Sequence, residues 1–189
     1  SKLKYRNIGD MPTKSMAEWT LPESMPGSGF QVTHFRYGIQ GAKPRVYLQA
    51  SLHADEIPGM LVLHHLMRLL DTADTAQRVL GEIIIIPAAN PVGLTQWAHG
   101  QLQGRFDYLT GTNFNRDLPE LGPKVALEIG TRLTDDPLEN REFIRESALR
   151  QLQNRNPDTP LEQLKRHLLE EALESDFVLD LHCDDTALM

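Results

Sequence analysis

The sequence predicts an α/β fold, built as a mixed, largely parallel sheet sandwiched by helices. Three observations predict it. A continuous β-branched run, "GEIIIIPA", reads as a central strand covered on both faces. Strand-like runs alternate along the chain with segments of helical periodicity, the order expected of α/β units. The polar residues best suited to chemistry follow the strands directly, at the carboxyl ends where open α/β sheets bind their ligands.

The first thirty residues are rich in Pro, Ser and Gly and read as an extended lead-in; residues 31–189 read as one globular unit. "FQVTHFRYGI" alternates as a half-exposed strand, "GAKP" as the turn after it, and "RVYLQASL" as the next strand. In "PGMLVLHHLMRLLD", Met60, Leu61, Leu63, Leu66, Met67 and Leu70 recur at helical spacing. Pro58 suits the first helical turn, where its missing N–H would be unpaired anyway. After "GEIIIIPA" a long polar stretch runs from Asn90 to Pro119, with a short helix expected near "VGLTQWAHG". Loops of that length inside a compact domain are usually functional. Helical patterns return over residues 123–134, 138–153 and 160–174, and "SDFVLDLH" is expected as another buried strand. No internal repeat interrupts this order.

Composition narrows the function classes. A chain of 189 residues can bury one sizeable core. Apolar residues at 40% and charged residues at 24% are ordinary for a soluble domain. A formal charge of −7 with no basic run argues against a nucleic-acid surface. The longest apolar runs fall far short of a membrane span. Cys183 is the one cysteine, so no intrachain disulfide forms, and a cytoplasmic location is expected.

In "SLHADEIPGM", His53 and Glu56 stand one turn apart between a strand and a helix; His182 ends the strand in "LDLHC". Catalytic zinc sites keep three protein ligands, often two histidines and a carboxylate, with two of them on one local element. His53, Glu56 and His182 meet that requirement. An isolated His-x-x-Glu is more simply a pair of solvated loop residues. The strand-end position of His182 favours the metal, because a histidine closing a buried apolar strand needs a partner. His64 and His65 lie in the helical pattern and read as helix surface; His34, His99 and His167 have no ligand-like neighbour. Strand alternation turns Cys183 away from His182, so it reads as a packed thiol.

A second cluster is "GTNFNRDLP". Asn115 and Arg116 offer an amide and a guanidinium fork suited to gripping a carboxylate, although a plain loop is the simpler alternative. Arg105, taken alone, is a solvated surface residue.

Together, "HADE", "NPVG", "NFNRDLP" and "LDLH", in that order over roughly residues 45–182, resemble the succinylglutamate desuccinylase/aspartoacylase family of zinc carboxypeptidase-like amidohydrolases. The resemblance implies one Zn²⁺ per chain on His53, Glu56 and His182. It implies a substrate carboxylate held by Asn115 and Arg116, and a scissile carbonyl polarised by Arg105. Many relatives carry Asp two residues before the Asn-Arg pair, where this chain has Asn113, which can orient a ring without charge. The family's general-base glutamate lies well beyond the third ligand, while the sequence ends seven residues (189 − 182) after His182. Residues 31–189 are therefore expected to be the N-terminal part of a longer catalytic domain, truncated at the C-terminus. Asp184 and Asp185 are not assigned as the base. The expected activity is zinc-dependent hydrolysis of an N-acyl amino acid. A carboxypeptidase acting on short peptides is the alternative, or a non-catalytic metal- or ligand-binding module if the chain is complete. The expected partner is a small-molecule N-acyl amino acid or peptide substrate, with neither nucleic acid nor membrane; the oligomeric state stays open.

Overall fold

The computed structural model describes residues 6–7, 13–23 and 26–183. Strands β1 (Arg6–Asn7), β2 (Ser15–Thr20), β3 (Gln31–Gly38) and β4 (Arg45–Ala50) lead into helix α1 (Pro58–Thr75). β5 (Glu82–Ile86), the short α2 (Pro91–Leu94) and a hairpin of β6 (Trp97–Ala98) and β7 (Gln101–Leu102) follow. The helices α3 (Gly122–Ile129), α4 (Pro137–Gln153) and α5 (Pro160–Glu174) precede β8 (Phe177–Leu181).

Six of the strands form one mixed sheet in the order β1-β2-β3-β5-β4-β8. β5, β4 and β8 run parallel, while β1, β2 and β3 continue the sheet through antiparallel pairings. Alternation along β5 sorts its isoleucines. Ile83 and Ile85 pack towards Leu63 and Leu70 of α1; Ile84 and Ile86 pack towards Leu164 and Leu168 of α5. Ile84, Ile85 and Ile86 are fully buried, each stabilising the fold by roughly 1.5–3 kcal/mol. α3 and α4 stack outside α5 through Val125, Ile129, Ala148 and Leu173.

Proline stands in the first turn of every one of these helices, and α2, α4 and α5 add side-chain caps. Asp136 accepts from the first turn of α4. Thr159 and Glu162 form a reciprocal capping box on α5, satisfying N–H groups that would otherwise lack partners.

Two expectations change. Residues 15–20 are not an unpaired lead-in: β2 pairs with β3 from Ser15↔Arg36 to Thr20↔Gln31, with Ala17 and Trp19 buried and Glu18 and Thr20 exposed. That period of two was hidden among prolines, serines and glycines, and β2 raises the antiparallel share of the sheet. "FVLDL" does form a strand, but an edge strand and not a buried one. β8 pairs with β4 alone among the described residues, leaving Phe177, Val178 and Leu179 about half exposed. The stretch from Asn90 to Pro119 has the expected short helix as α2, confined to Pro91–Leu94, and the β6–β7 hairpin follows where the rest of "VGLTQWAHG" lies.

For function, the parallel half of the sheet matters most. β4 and β8 are neighbours in the register Ala50↔Leu181, so the segments leaving both strands emerge side by side.

Candidate metal centre

The chain leaves β4 through Ser51, which takes a positive φ of 62°. A short turn follows, closed by the Glu56 N–H donating to the His53 carbonyl at 3.0 Å. His53 and Glu56 are both buried in it. Two neighbouring segments pin this turn. The amide of Asn90 donates to Leu52 O at 2.9 Å and caps α2 by accepting from Gly93 N at 2.9 Å. "NPVG" thus braces the turn and presents no ligand to it. Gly104 O accepts from Ala54 N at 2.9 Å. A Cβ on Gly104 would fall 2.3 Å from Asp55 N, so only glycine fits there.

Glu56 is the hub. One carboxylate oxygen lies 2.9 Å from His53 Nδ1 and 2.8 Å from an Arg105 guanidinium nitrogen. The other lies 2.7 Å from His182 Nδ1 and accepts from the backbone N–H of Cys183 at 3.0 Å. Burial works to raise the pKa of Glu56, but the Cys183 N–H and the two histidines outweigh it and hold the carboxyl below its ordinary value.

The outer ring nitrogens identify what the inner ones offer. His53 Nε2 is 2.9 Å from the side-chain oxygen of Asn113, whose identity as oxygen is set by the N–H of Asn115 donating to it at 2.8 Å. Asn113 can thus accept a proton carried on Nε2, as Glu56 can accept one carried on Nδ1. His182 Nε2 lies 2.8 Å from an Asp180 carboxylate oxygen, and a carboxylate can only accept that proton. With the protons on the outer nitrogens, both Nδ1 lone pairs would be directed beside Glu56 and open to a metal ion. A metal ion could take both lone pairs together with a carboxylate oxygen, and without one an Nδ1–H can donate to the carboxylate. Burial opposes charge on His182, yet Asp180 and Glu56 prevail and raise its pKa. With two imidazole nitrogens and a carboxylate oxygen all within 4.8 Å of one another, the donor set fits a zinc ion.

Sequence reasoning did not single out Asp180 or the Cys183 N–H. Asp180 was legible in principle, because residues two apart on a strand share a face and "DLH" places a carboxylate beside the histidine. The remaining candidates divide. Arg105, with its side chain 45% exposed, reaches Glu56. Asn115 comes within 3.3 Å of His182 through its amide nitrogen. Arg116 is not drawn in: its exposed guanidinium donates to the carbonyl of Asn115 at 2.7 Å. His64 and His65 are exposed on α1. His34 is completely buried against Trp19, away from the cluster. Cys183 is half-buried, and Asp184 and Asp185 lie outside the described residues.

Residues 42–189 match the succinylglutamate desuccinylase/aspartoacylase catalytic domain. No curated protein matches the chain. Among solved structures, a succinylglutamate desuccinylase/aspartoacylase family protein from Shewanella amazonensis SB2B is 32% identical, with a TM-score of 0.75 over 89% of this chain and 46% of its own. A second, from Shewanella frigidimarina NCIMB 400, is 29% identical with a TM-score of 0.73, covering 92% of this chain and 47% of that one. A carboxypeptidase A-like structure from Shewanella denitrificans OS-217, at 20% identity and a TM-score of 0.52, shares the fold. The chain spans just under half the length of the first two. Its match over residues 42–189 and its likeness to both structures place the chain in the succinylglutamate desuccinylase/aspartoacylase family.

Proposed function

We propose that the protein is a zinc-dependent amidohydrolase that removes the acyl group from an N-acyl amino acid. The observation that supports this most is the pair of imidazole Nδ1 atoms on one buried carboxylate, with an acceptor at each outer nitrogen. His53, Glu56 and His182 would hold the ion. Zinc bound there supplies a Lewis acid and a water of lowered pKa.

The chain's own groups have distinct tasks. Asn113 and Asp180 fix the ring orientations and tautomers of the two histidines. Arg105 extends over Glu56 with its side chain partly exposed, placed to donate to the scissile carbonyl oxygen as negative charge develops there. Asn115 and Arg116 fix the free carboxylate of the amino acid, setting the amide in reach. Hydrolysis forms a C–O bond, breaks the C–N bond and delivers a proton to the departing amine. We assign that proton relay to a glutamate beyond residue 189. Carboxypeptidase action on a short peptide is the same chemistry on a different acyl group.

The full-length protein should carry about one zinc per chain and hydrolyse N-acyl amino acids, as judged by metal analysis and amine release across a panel of acyl amino acids and dipeptides. Preference for acyl amino acids supports the deacylase reading, and preference for dipeptides replaces it with the peptidase. Absence of bound metal after reconstitution with zinc refutes both.

A further inference from the structure

A buried lysine behind the centre has no part in the reading so far. Lys165 lies on the inner face of α5 and is only 5% exposed. Its ammonium donates to the carbonyl of Arg116 at 2.7 Å, with the carbonyl of Asn113 at 3.5 Å. Those carbonyls flank Asn115. The segment between them carries Asn113, whose oxygen meets the outer nitrogen of His53, and Asn115, whose amide lies 3.3 Å from the His182 ring. Burial lowers the pKa of Lys165, while Asp117, Asp107 and Glu162 act to restore its charge.

We infer that Lys165 is a positioning residue for the metal centre: it ties the Asn113–Arg116 segment to α5 and so holds the histidine rings in their metal-accepting orientation. The inference rests on the proposed metal centre but goes beyond it. A flexible loop needs such a tie. Asn113 can aim at His53 only if its backbone is fixed, and the three donors of one ammonium can serve two carbonyls at once. α5 is a firm anchor, with a capping box at its start and Leu161, Leu164 and Leu168 buried in the core. A simpler role is possible for a buried lysine, namely filling space. Its stem does border a cavity of about 180 Å³ lined by Phe114, Leu168 and Val178. Space-filling predicts that an uncharged side chain of equal length serves as well.

The test compares the full-length protein with Lys165→Met, which keeps the stem and removes the donors, and Lys165→Arg, for which the cavity leaves room. Cobalt(II) affinity and the visible cobalt spectrum are read in each, with folding checked by circular dichroism. Lys165→Met should bind cobalt about 10–100-fold more weakly with an altered spectrum, and Lys165→Arg should recover most of the loss. If Lys165→Met does not fold, Lys165→Leu, which also lacks donors, takes its place. Long-range ¹H–¹⁵N spectra of the His53 ring in metal-free protein supply a second readout. The Nε2 signal, set in the parent by the Asn113 oxygen, should shift in Lys165→Met as that contact loosens. Parental affinity together with an unchanged His53 ring in the uncharged variant overturns the inference. A parent that takes no metal refutes the proposed function, and the ring spectra then decide the role of Lys165 alone.

Discussion

His182 and Glu56, 126 residues apart in sequence, meet through Nδ1 and Oε2 at 2.7 Å. The adjacent backbone N–H of Cys183 donates to the same oxygen. The contact joins the segment leaving β4 to the one leaving β8, and it turns two loops into one centre. Removing either histidine should therefore abolish metal retention. His53→Ala and His182→Ala should each lose most of the zinc under conditions where the parent keeps about one ion per chain. Unchanged zinc in both variants would falsify the ligand assignment.

Asp180 is expected to matter through His182. Asp180→Ala leaves the ligands intact but frees the imidazole to rotate and change tautomer, so zinc affinity should fall by about 10–100-fold. Asp180→Asn can accept the same proton and should fall less. Competition with a chromophoric chelator measures both, and equal affinities for the Ala variant and the parent would remove Asp180 from the centre.

Arg116 should behave differently, because it touches no ligand. Arg116→Ala should keep its zinc. Truncating one partner of a charged pair costs roughly 2–5 kcal/mol. Catalytic efficiency on N-acyl amino acids should therefore drop by at least about thirtyfold. Substrates with the carboxylate converted to an amide should be poor for the parent and little affected by the change. Equal losses on acid and amide substrates would give Arg116 a role in loop structure.

A buried histidine predicts the acid limit of stability. Burial, aided by His167 and Arg45, drives the pKa of His34 down to about 3. Neither ring nitrogen has a hydrogen-bond partner among the described residues, and Glu171 stands 3.8 Å from Nδ1. The folded ring stays neutral while the unfolded ring takes a proton below its ordinary pKa of 6.5. Stability from this group is thus complete above that value and is lost as pH falls towards about 3, by about 1.4 kcal/mol per pH unit. Glu171 opposes it. Burial raises its pKa to about 7, so its contribution is complete below its ordinary value of 4.5 and fades as pH rises to about 7. Replacing His34 isolates one of the two: His34→Gln should gain on the parent between pH 6.5 and 5 in urea unfolding. A constant gap between the two proteins across that range would show that His34 titrates normally.

Much of this was legible in the sequence where local pattern and tertiary outcome coincide. The run "EIIII" became a strand covered on both faces because its alternation satisfies α1 and α5 at once. β2 was missed because its signal is only six residues long and sits among turn-forming residues. β8 was recognised as a strand but not as an edge, since apolar content marks a strand's preference and not the number of its neighbours. The ligand candidates stood out through their strand-end positions. Asp180 and Lys165 did not, because what distinguishes them is a contact and not a spacing: one reaches the far side of a ring, the other two carbonyls some fifty residues away.

The pairing of β4 with β8 carries a consequence for how the chain reaches its native state. His53 and His182 face a common carboxylate only when Ala50 lies opposite Leu181. A slip of one residue would displace His182 by ~3.3 Å and turn its side chain to the other face of the sheet. An ion that needs both imidazoles would then bind only the correctly aligned chain. If the centre binds metal as proposed, its capture would double as proofreading of the strand alignment, rewarding the native arrangement with binding energy withheld from its nearest competitor.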